Sequence, residues 1–102
     1  MNTLNIVNKS PFEKSSLIQC LERLGEGDSI LLIEDAIVAA VNDTTFSARL
    51  SGVSGTVSLY VLWPDLAARG FDDASLIRCI ETVDYVGFVG LVERHARVHS
   101  WL

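Results

Sequence analysis

Short apolar runs alternate with polar, glycine-containing segments along all 102 residues of the chain. Continuous apolar runs are typical of strands in parallel sheets, which are covered on both faces. The segments between them show helical periodicity and helix start signals, so they predict helices. The predicted strands are residues 3–7, 29–33, 56–62, 80–83 and 98–101.

The first helix is predicted from the residues that should cap it. Ser10 is placed as the N-cap, Pro11 fits the first helical position, and Glu13 completes a capping box. We expect this helix to run to Leu24 and to stop at the glycines of residues 25–27, which permit a left-handed termination.

Later helices have similar signals. Asp35 is placed as the N-cap of a helix shortly after the second predicted strand, Asp84 is placed as an N-cap directly after the fourth, and Pro64 opens another helix. The predicted helical segments are residues 35–41, a piece within 42–55, residues 64–70, a turn at 74–78, and residues 85–94.

The alternation of strands and helices predicts an α/β fold. Right-handed crossovers at this spacing give a three-layer α/β/α sandwich around a mostly parallel sheet of about five strands. A chain of this length can build one core, so residues 1–102 are expected to form one domain. The pattern does not specify the strand order.

Composition narrows the classes of function. The chain is 49% hydrophobic, yet its apolar runs are only about five to eight residues long, shorter than the roughly 20 residues of a membrane span. Part of the apolar content is therefore expected to be core or surface covered by another subunit.

A net charge of −5, with scattered basic residues, argues against direct nucleic-acid binding. The N-terminus lacks signal-peptide features, so a cytoplasmic location is expected.

Cys20 is the candidate reactive residue. Leu17, Leu21 and Leu24 share one face of the predicted helix, and Cys20 lies at its border, which predicts a partly exposed thiol. One interpretation is a small apolar core residue. The other is a thiol that accepts and passes on sulfane sulfur, because a thiolate attacks a persulfide as it attacks a disulfide.

Other candidate residues are weaker. Cys79, at the entry to a strand, is interpreted as a core or near-surface bystander. His95 and His99 have helical spacing, but a predicted helix end lies between them, so we expect no metal site. Glu34 is followed by a capping aspartate, and acid–base catalysis there is not expected. Neither a phosphate-binding glycine motif nor a nucleophile elbow is present, so no cofactor is expected.

Five segments together resemble the DsrH/TusB family, in the order expected for it: residues 8–12, 26–40, 60–71, 83–88 and 101–102. Members of that family are small subunits of cytoplasmic sulfur-relay complexes. The resemblance implies the same DsrEFH-like fold and two sister subunits of matching fold, TusC/TusD-like or DsrF/DsrE-like, in a dimer of heterotrimers. It also implies a downstream sulfur-acceptor protein, with the main sulfur-accepting cysteine in the TusD/DsrE-like sister.

The resemblance places Cys20 on a helix cysteine that DsrH-type members are proposed to use in sulfur transfer and that many TusB-type members lack. Three positions depart from the family pattern. Asn5 replaces a histidine, and Ala36 and Val38 replace a glycine and an aromatic residue. These changes put in doubt any site that depends on that histidine or on that flexible turn.

The leading hypothesis is a subunit that passes persulfide sulfur and has no independent catalytic activity. The sulfur would go toward 2-thiolation of the wobble uridine of tRNA, as in TusBCD-type complexes, or enter dissimilatory sulfur oxidation, as in DsrEFH-type complexes. One alternative is a purely structural subunit of that heterohexamer with no sulfur-carrying role. A stand-alone small-molecule enzyme is a poorer alternative, because no catalytic constellation converges in the sequence.

Overall fold

The computed structural model describes residues 2–42 and 44–101. Two residues used in the sequence analysis therefore lie outside the described residues: Asp43, which belongs to the predicted polar segment, and Leu102, which belongs to the family resemblance. Within the described residues, five strands form one sheet, and every neighbouring pair is parallel. The strand order is β4-β3-β2-β1-β5. The strands are β1 Thr3–Val7, β2 Ser29–Leu32, β3 Ser58–Leu62, β4 Ile80–Val83 and β5 Arg97–Trp101.

Helices occupy the connections between the strands. The α-helices are α1 Ser16–Glu22, α2 Ser47–Val53, α3 Trp63–Ala68 and α4 Tyr85–Arg94, with 3₁₀ helices at Glu34–Ala40 and Asp73–Ser75. The predicted α/β fold with a five-strand parallel sheet is therefore confirmed. Within residues 2–42 and 44–101, no helix has the length and apolar character needed to span a bilayer.

The helices divide unequally between the two faces of the sheet. The chain moves from β1 through β4 in one direction and then crosses back to β5, so right-handed crossovers place α4 opposite the other helices. The larger core contains Leu17, Leu50 and Leu66 of α1, α2 and α3. The smaller core, under α4, has four buried members: Leu4, Ile6, Leu31 and Leu91.

The first helix begins later than its capping signal predicted. The Ser10 carbonyl accepts hydrogen bonds from Glu13 N at 3.1 Å and Lys14 N at 3.0 Å, which closes a separate turn. Phe12 packs edge-on against Phe46, the N-cap residue of α2, with ring centroids 5.3 Å apart. The predicted capping box is wrong, because the helical residues begin only at Ser16.

The predicted end of this helix is also too late. α1 ends at Glu22, and Arg23 is the C-cap. The left-handed residue in the following turn is Gly27, with φ 86°, which directs the chain into β2 instead of terminating the helix. Asp28 fixes this turn, because its Oδ2 accepts from Gly25 N at 2.9 Å and its Oδ1 accepts from Thr3 N at 2.9 Å.

The predicted cap of α4 is confirmed. Asp84 is the N-cap, and its Oδ1 accepts a hydrogen bond from Gly87 N at 2.8 Å. A carboxylate here satisfies a free helix donor and faces the positive end of the helix dipole.

Replacing Asp84 by alanine is therefore expected to lower the free energy of unfolding by about 0.5–2 kcal/mol. Ser10→Ala is the matched control, and it should change stability by less than about 0.5 kcal/mol, because the Ser10 hydroxyl only accepts one long bond from Phe12 N at 3.3 Å. Urea unfolding of both variants measures the difference. Equal losses would contradict the boundaries described for α1 and α4.

Candidate functional site

The carboxyl ends of β3 and β4 form the switch point of this sheet. Open parallel sheets bind ligands where neighbouring strands send their helices to opposite faces, and α3 and α4 diverge here. Leu62 and Val83 are register partners, so Trp63 and Asp84 leave the sheet next to each other. Trp63 and Tyr85 are 50% and 60% exposed, so two aromatic side chains are available to a partner at this point.

A polar network lies at the carboxyl end of β2, the strand next to β3. Glu34 has a left-handed backbone, with φ 49°, and its N–H donates to Asp65 Oδ2 at 2.7 Å. Arg69 donates from Nη2 and Nε to Asp35 Oδ1 at 3.0 and 3.2 Å. These contacts tie the 3₁₀ helix to α3. The prediction that Asp35 caps a helix is wrong, because the 3₁₀ helix begins one residue earlier, at Glu34, and the Asp35 carboxylate pairs with arginine instead.

Cys20 lies in the last turn of α1 and is fully buried, so the predicted partial exposure is wrong. The helix is rotated so that Leu17 and Cys20 face the sheet, whereas Leu21 and Leu24 are only partly buried. Burial raises the pKa of the Cys20 thiol from its ordinary value of 9.0 to about 12, and the Asp28 carboxylate adds to the increase. At neutral pH this leaves on the order of one thiol in 10⁵ ionised.

Cys79 is more accessible than Cys20, and it packs against the larger core from its edge. It is a free, half-buried thiol, and its Sγ lies 3.8 Å from Ser51 Oγ. It lines a shallow groove of about 160 Å³ together with Tyr60 and Glu81. The interpretation of Cys79 as a bystander stays a prediction.

The two histidines lie in different surroundings, as the sequence predicted. His95 follows the last residue of α4, with Nδ1 2.6 Å from the Leu91 carbonyl oxygen and Nε2 2.7 Å from Ser29 Oγ. His99 lies in β5 and stacks on Trp101, with ring centroids 4.4 Å apart. His95 thus joins the end of α4 to the start of β2.

Asn5, the residue that departs from the family histidine, has a structural role. It is buried in β1, between β2 and β5, and its Nδ2 donates to the Ser29 carbonyl at 3.2 Å. Its Oδ1 accepts from Trp101 Nε1 at 3.0 Å. Asn5 therefore joins β2 to β5 through its side chain.

The outer face of α4 is the main feature that sequence reasoning missed. Successive residues of a helix are turned by about 100° around its axis. On that basis, five exposed residues of α4 lie within about 60° of the direction of Val89, on the side of the helix opposite Leu91. We call them the α4 stripe: Tyr85, Val86, Val89, Val92 and Glu93. Their apolar members are 39–80% exposed. The signal was present in the valines at i, i+3 and i+6.

The fold and these surfaces define a small doubly wound α/β protein with an exposed apolar helix and a buried thiol. Solved structures share this fold. The YchN protein of Escherichia coli matches with a TM-score of 0.82 at 18% identity, covering 98% of this chain and 99% of that one. A protein from Methanobacterium thermoautotrophicum matches with a TM-score of 0.70 at 17% identity over 96% of both chains.

Sequence relatives identify the family. The model of the family described as DsrH like protein matches residues 9–98. Protein TusB of Buchnera aphidicola is 32% identical over 96% of this chain and 99% of its own length. Protein TusB of Photorhabdus laumondii is also 32% identical, over the same shares of the two chains. The chain belongs to the DsrH family.

Proposed function

We propose that this chain is a single-domain assembly subunit of a cytoplasmic sulfur-relay complex and that it does not itself carry sulfur. Family membership and nearly full-length similarity to proteins named TusB support a place in such a complex. The complete burial of Cys20 is the observation that supports the claim that the chain does not itself carry sulfur.

Sulfur transfer through a cysteine requires an accessible thiolate. The Cys20 side chain is enclosed by the core under α1, and its pKa is raised to about 12. A thiol in such surroundings neither ionises near pH 7 nor meets a persulfide on another protein. Cys79 is the other cysteine of the sequence, and it lies at the start of β4, away from the exposed aromatic pair at the switch point.

Association with other subunits is the role that the remaining features favour. The α4 stripe exposes four apolar side chains. Elsewhere on the surface, Phe12 is 61% exposed and Trp63 is 50% exposed. Exposed apolar surface on so small a protein is typical of surface covered by a partner. Sister subunits of the same fold, as the family resemblance implies, are the proposed partners.

Of the two pathways, 2-thiolation of the tRNA wobble uridine is the one we propose. The relatives at 31–32% identity are named TusB. Cys20 would favour sulfur oxidation, as the corresponding cysteine of DsrH-type members does, only if it were a reactive thiol, and its burial removes that support. The acidic net charge of −5 fits a subunit that leaves contact with the RNA to other proteins.

The test is the content of 2-thiouridine in tRNA from the source cells, measured by nucleoside mass spectrometry. Deleting the gene should abolish the modification, and the wild-type chain should restore it. The variant with both Cys20→Ala and Cys79→Ala should restore it equally, because neither thiol is part of the relay. Co-purification of the variant with the sister subunits is the control for assembly.

Two results would count against the proposal. If the double variant assembles normally but does not restore thiolation, one of the two cysteines carries sulfur. If deletion leaves 2-thiouridine unchanged but stops the oxidation of reduced sulfur, the chain belongs to the other pathway.

A further inference from the structure

The edge strand β5 differs from the other four strands in its burial. β1, β2 and β3 each have at least three buried residues, and β4 has one, Ile80. In the described part of the chain β5 has none, because its first four residues are exposed and Trp101 is only partly buried. Trp101 packs at the edge of the larger core, and it is the apolar anchor of this strand.

Hydrogen bonds hold β5 on the sheet. The strand pairs in parallel with β1 over its whole length, and its other edge is free. Arg97 N donates to the Asn2 carbonyl at 3.2 Å, and Trp101 Nε1 donates to Asn5 Oδ1 at 3.0 Å. The net stability from such bonds is small, because water replaces them when the strand leaves. Little buried apolar surface therefore opposes the opening of β5.

The connection from α4 is fixed just before β5 begins. His95 Nε2 lies 2.7 Å from Ser29 Oγ, and His95 Nδ1 lies 2.6 Å from the Leu91 carbonyl oxygen, so the end of α4 is tied to β2. Ala96 comes next, and its side chain is exposed to solvent. Rotation of the backbone at Ala96 can release β5 and leave α4 on the sheet.

We propose that β5 is a displaceable edge strand, which opens as a unit about Ala96 while β1 to β4 and their helices stay folded. A region with few buried apolar contacts and solvent-exposed backbone bonds opens at a lower free energy than the whole domain. The open state bares the edge of β1, whose free backbone donors and acceptors can pair with an extended segment of another chain. The inference goes beyond the proposed function and does not depend on the pathway.

The backbone of β1 provides matched probes for this opening. The Asn2 carbonyl accepts from Arg97 of β5, whereas the Val7 carbonyl accepts from Ile33 at the end of β2. The N–H and C=O groups of one strand residue point to the same side, and successive residues alternate between the two neighbouring strands. The even-numbered residues of β1 therefore donate toward β5, and the odd-numbered residues donate toward β2.

Native-state hydrogen exchange of the full chain, followed by NMR, tests the proposal. The amides of Leu4 and Ile6, on the β5 side, should have protection factors at least about 100-fold lower than those of Asn5 and Val7, on the β2 side. All four amides lie in one strand, so each pair is the control for the other. Low urea concentrations should speed exchange at Asn5 and Val7 but hardly at Leu4 and Ile6, because strand opening exposes little surface.

Leu66→Ala separates opening of the strand from unfolding of the domain. Leu66 is fully buried in the larger core on α3, and β3, which leads into that helix, is separated from β5 by β2 and β1. The substitution should destabilise the closed and open states equally. Exchange at Asn5 and Val7 should become at least about 30-fold faster, whereas exchange at Leu4 and Ile6 should not change. If the variant does not fold, the urea series on the wild-type chain makes the same comparison.

Two results would overturn the proposal. Equal protection factors on the two sides of β1 would mean that β5 opens only when the domain unfolds. The same acceleration of all four amides, by urea or by Leu66→Ala, would mean the same. These measurements do not involve the cysteines or tRNA, so failure of this inference is distinguishable from failure of the proposed function.

Discussion

Replacing Leu91 by alanine is expected to lower the free energy of unfolding by about 2–5 kcal/mol, the range for removing a large buried aliphatic side chain. Leu91 is the fully buried side chain of α4, at 1% exposure. It fills the smaller core against Leu4, Ile6 and Leu31.

Val86→Ala is the control for Leu91→Ala. It lies on the same helix and loses a β-branched side chain, but Val86 is 80% exposed, so the change in stability should stay within about 0.5 kcal/mol. Urea unfolding of dilute protein measures both variants and keeps self-association small. A loss for Val86→Ala as large as that for Leu91→Ala would mean that α4 is docked on its other face.

The strands were the most predictable part of the fold. The run Ser29–Leu32 is buried at every position, as its continuous apolar sequence indicated, and Ile80–Val83 has the predicted boundaries. For Ser29–Leu32 the continuous run is a reliable signal because a strand covered on both faces is largely apolar. Strand order could not be predicted, because it depends on which helices cover which face, and local sequence does not encode this.

Helix starts were predictable only where the cap is local. Asp84 caps α4 through a bond to a residue three positions away. Ser10 carries an equally good local signal, yet the packing of Phe12 on Phe46 is a contact between distant parts of the chain, and it favours a turn. Asp35 likewise pairs with Arg69, 34 residues away. Tertiary contacts decided both cases against the sequence signal.

The sequence predicted Cys20 as the candidate reactive residue, but it did not predict that the side chain is fully buried. Helical periodicity placed Cys20 at the edge of an apolar face defined by Leu17, Leu21 and Leu24. The rotation of α1 on the sheet is set by what lies beneath it, and it turns Cys20 fully into the core while Leu21 and Leu24 stay partly buried. A rotation of this kind moves a residue from the border of the apolar helix face into the core, although the sequence pattern stays the same.

Cys20 should make the stability of the protein depend strongly on alkaline pH. In the unfolded chain the thiol ionises near pH 9.0, whereas in the folded protein it keeps its proton until about pH 12. Between these values the unfolded state binds fewer protons, so the stability falls as the pH rises. The full contribution is present below pH 9, and about 3–4 kcal/mol should be lost by pH 12.

Cys20→Ala isolates this contribution from the other groups that titrate at high pH. Near pH 7 the variant should be less stable than the wild type by about 1 kcal/mol, because it loses one buried sulfur atom. Above pH 9 the difference should shrink and then reverse, since alanine has no proton to lose. Guanidinium unfolding of both proteins at pH 7 to 11 measures the two curves. Parallel curves would show that the thiol ionises as easily in the folded protein as in the unfolded chain, and the argument that burial prevents Cys20 from carrying sulfur would then fail.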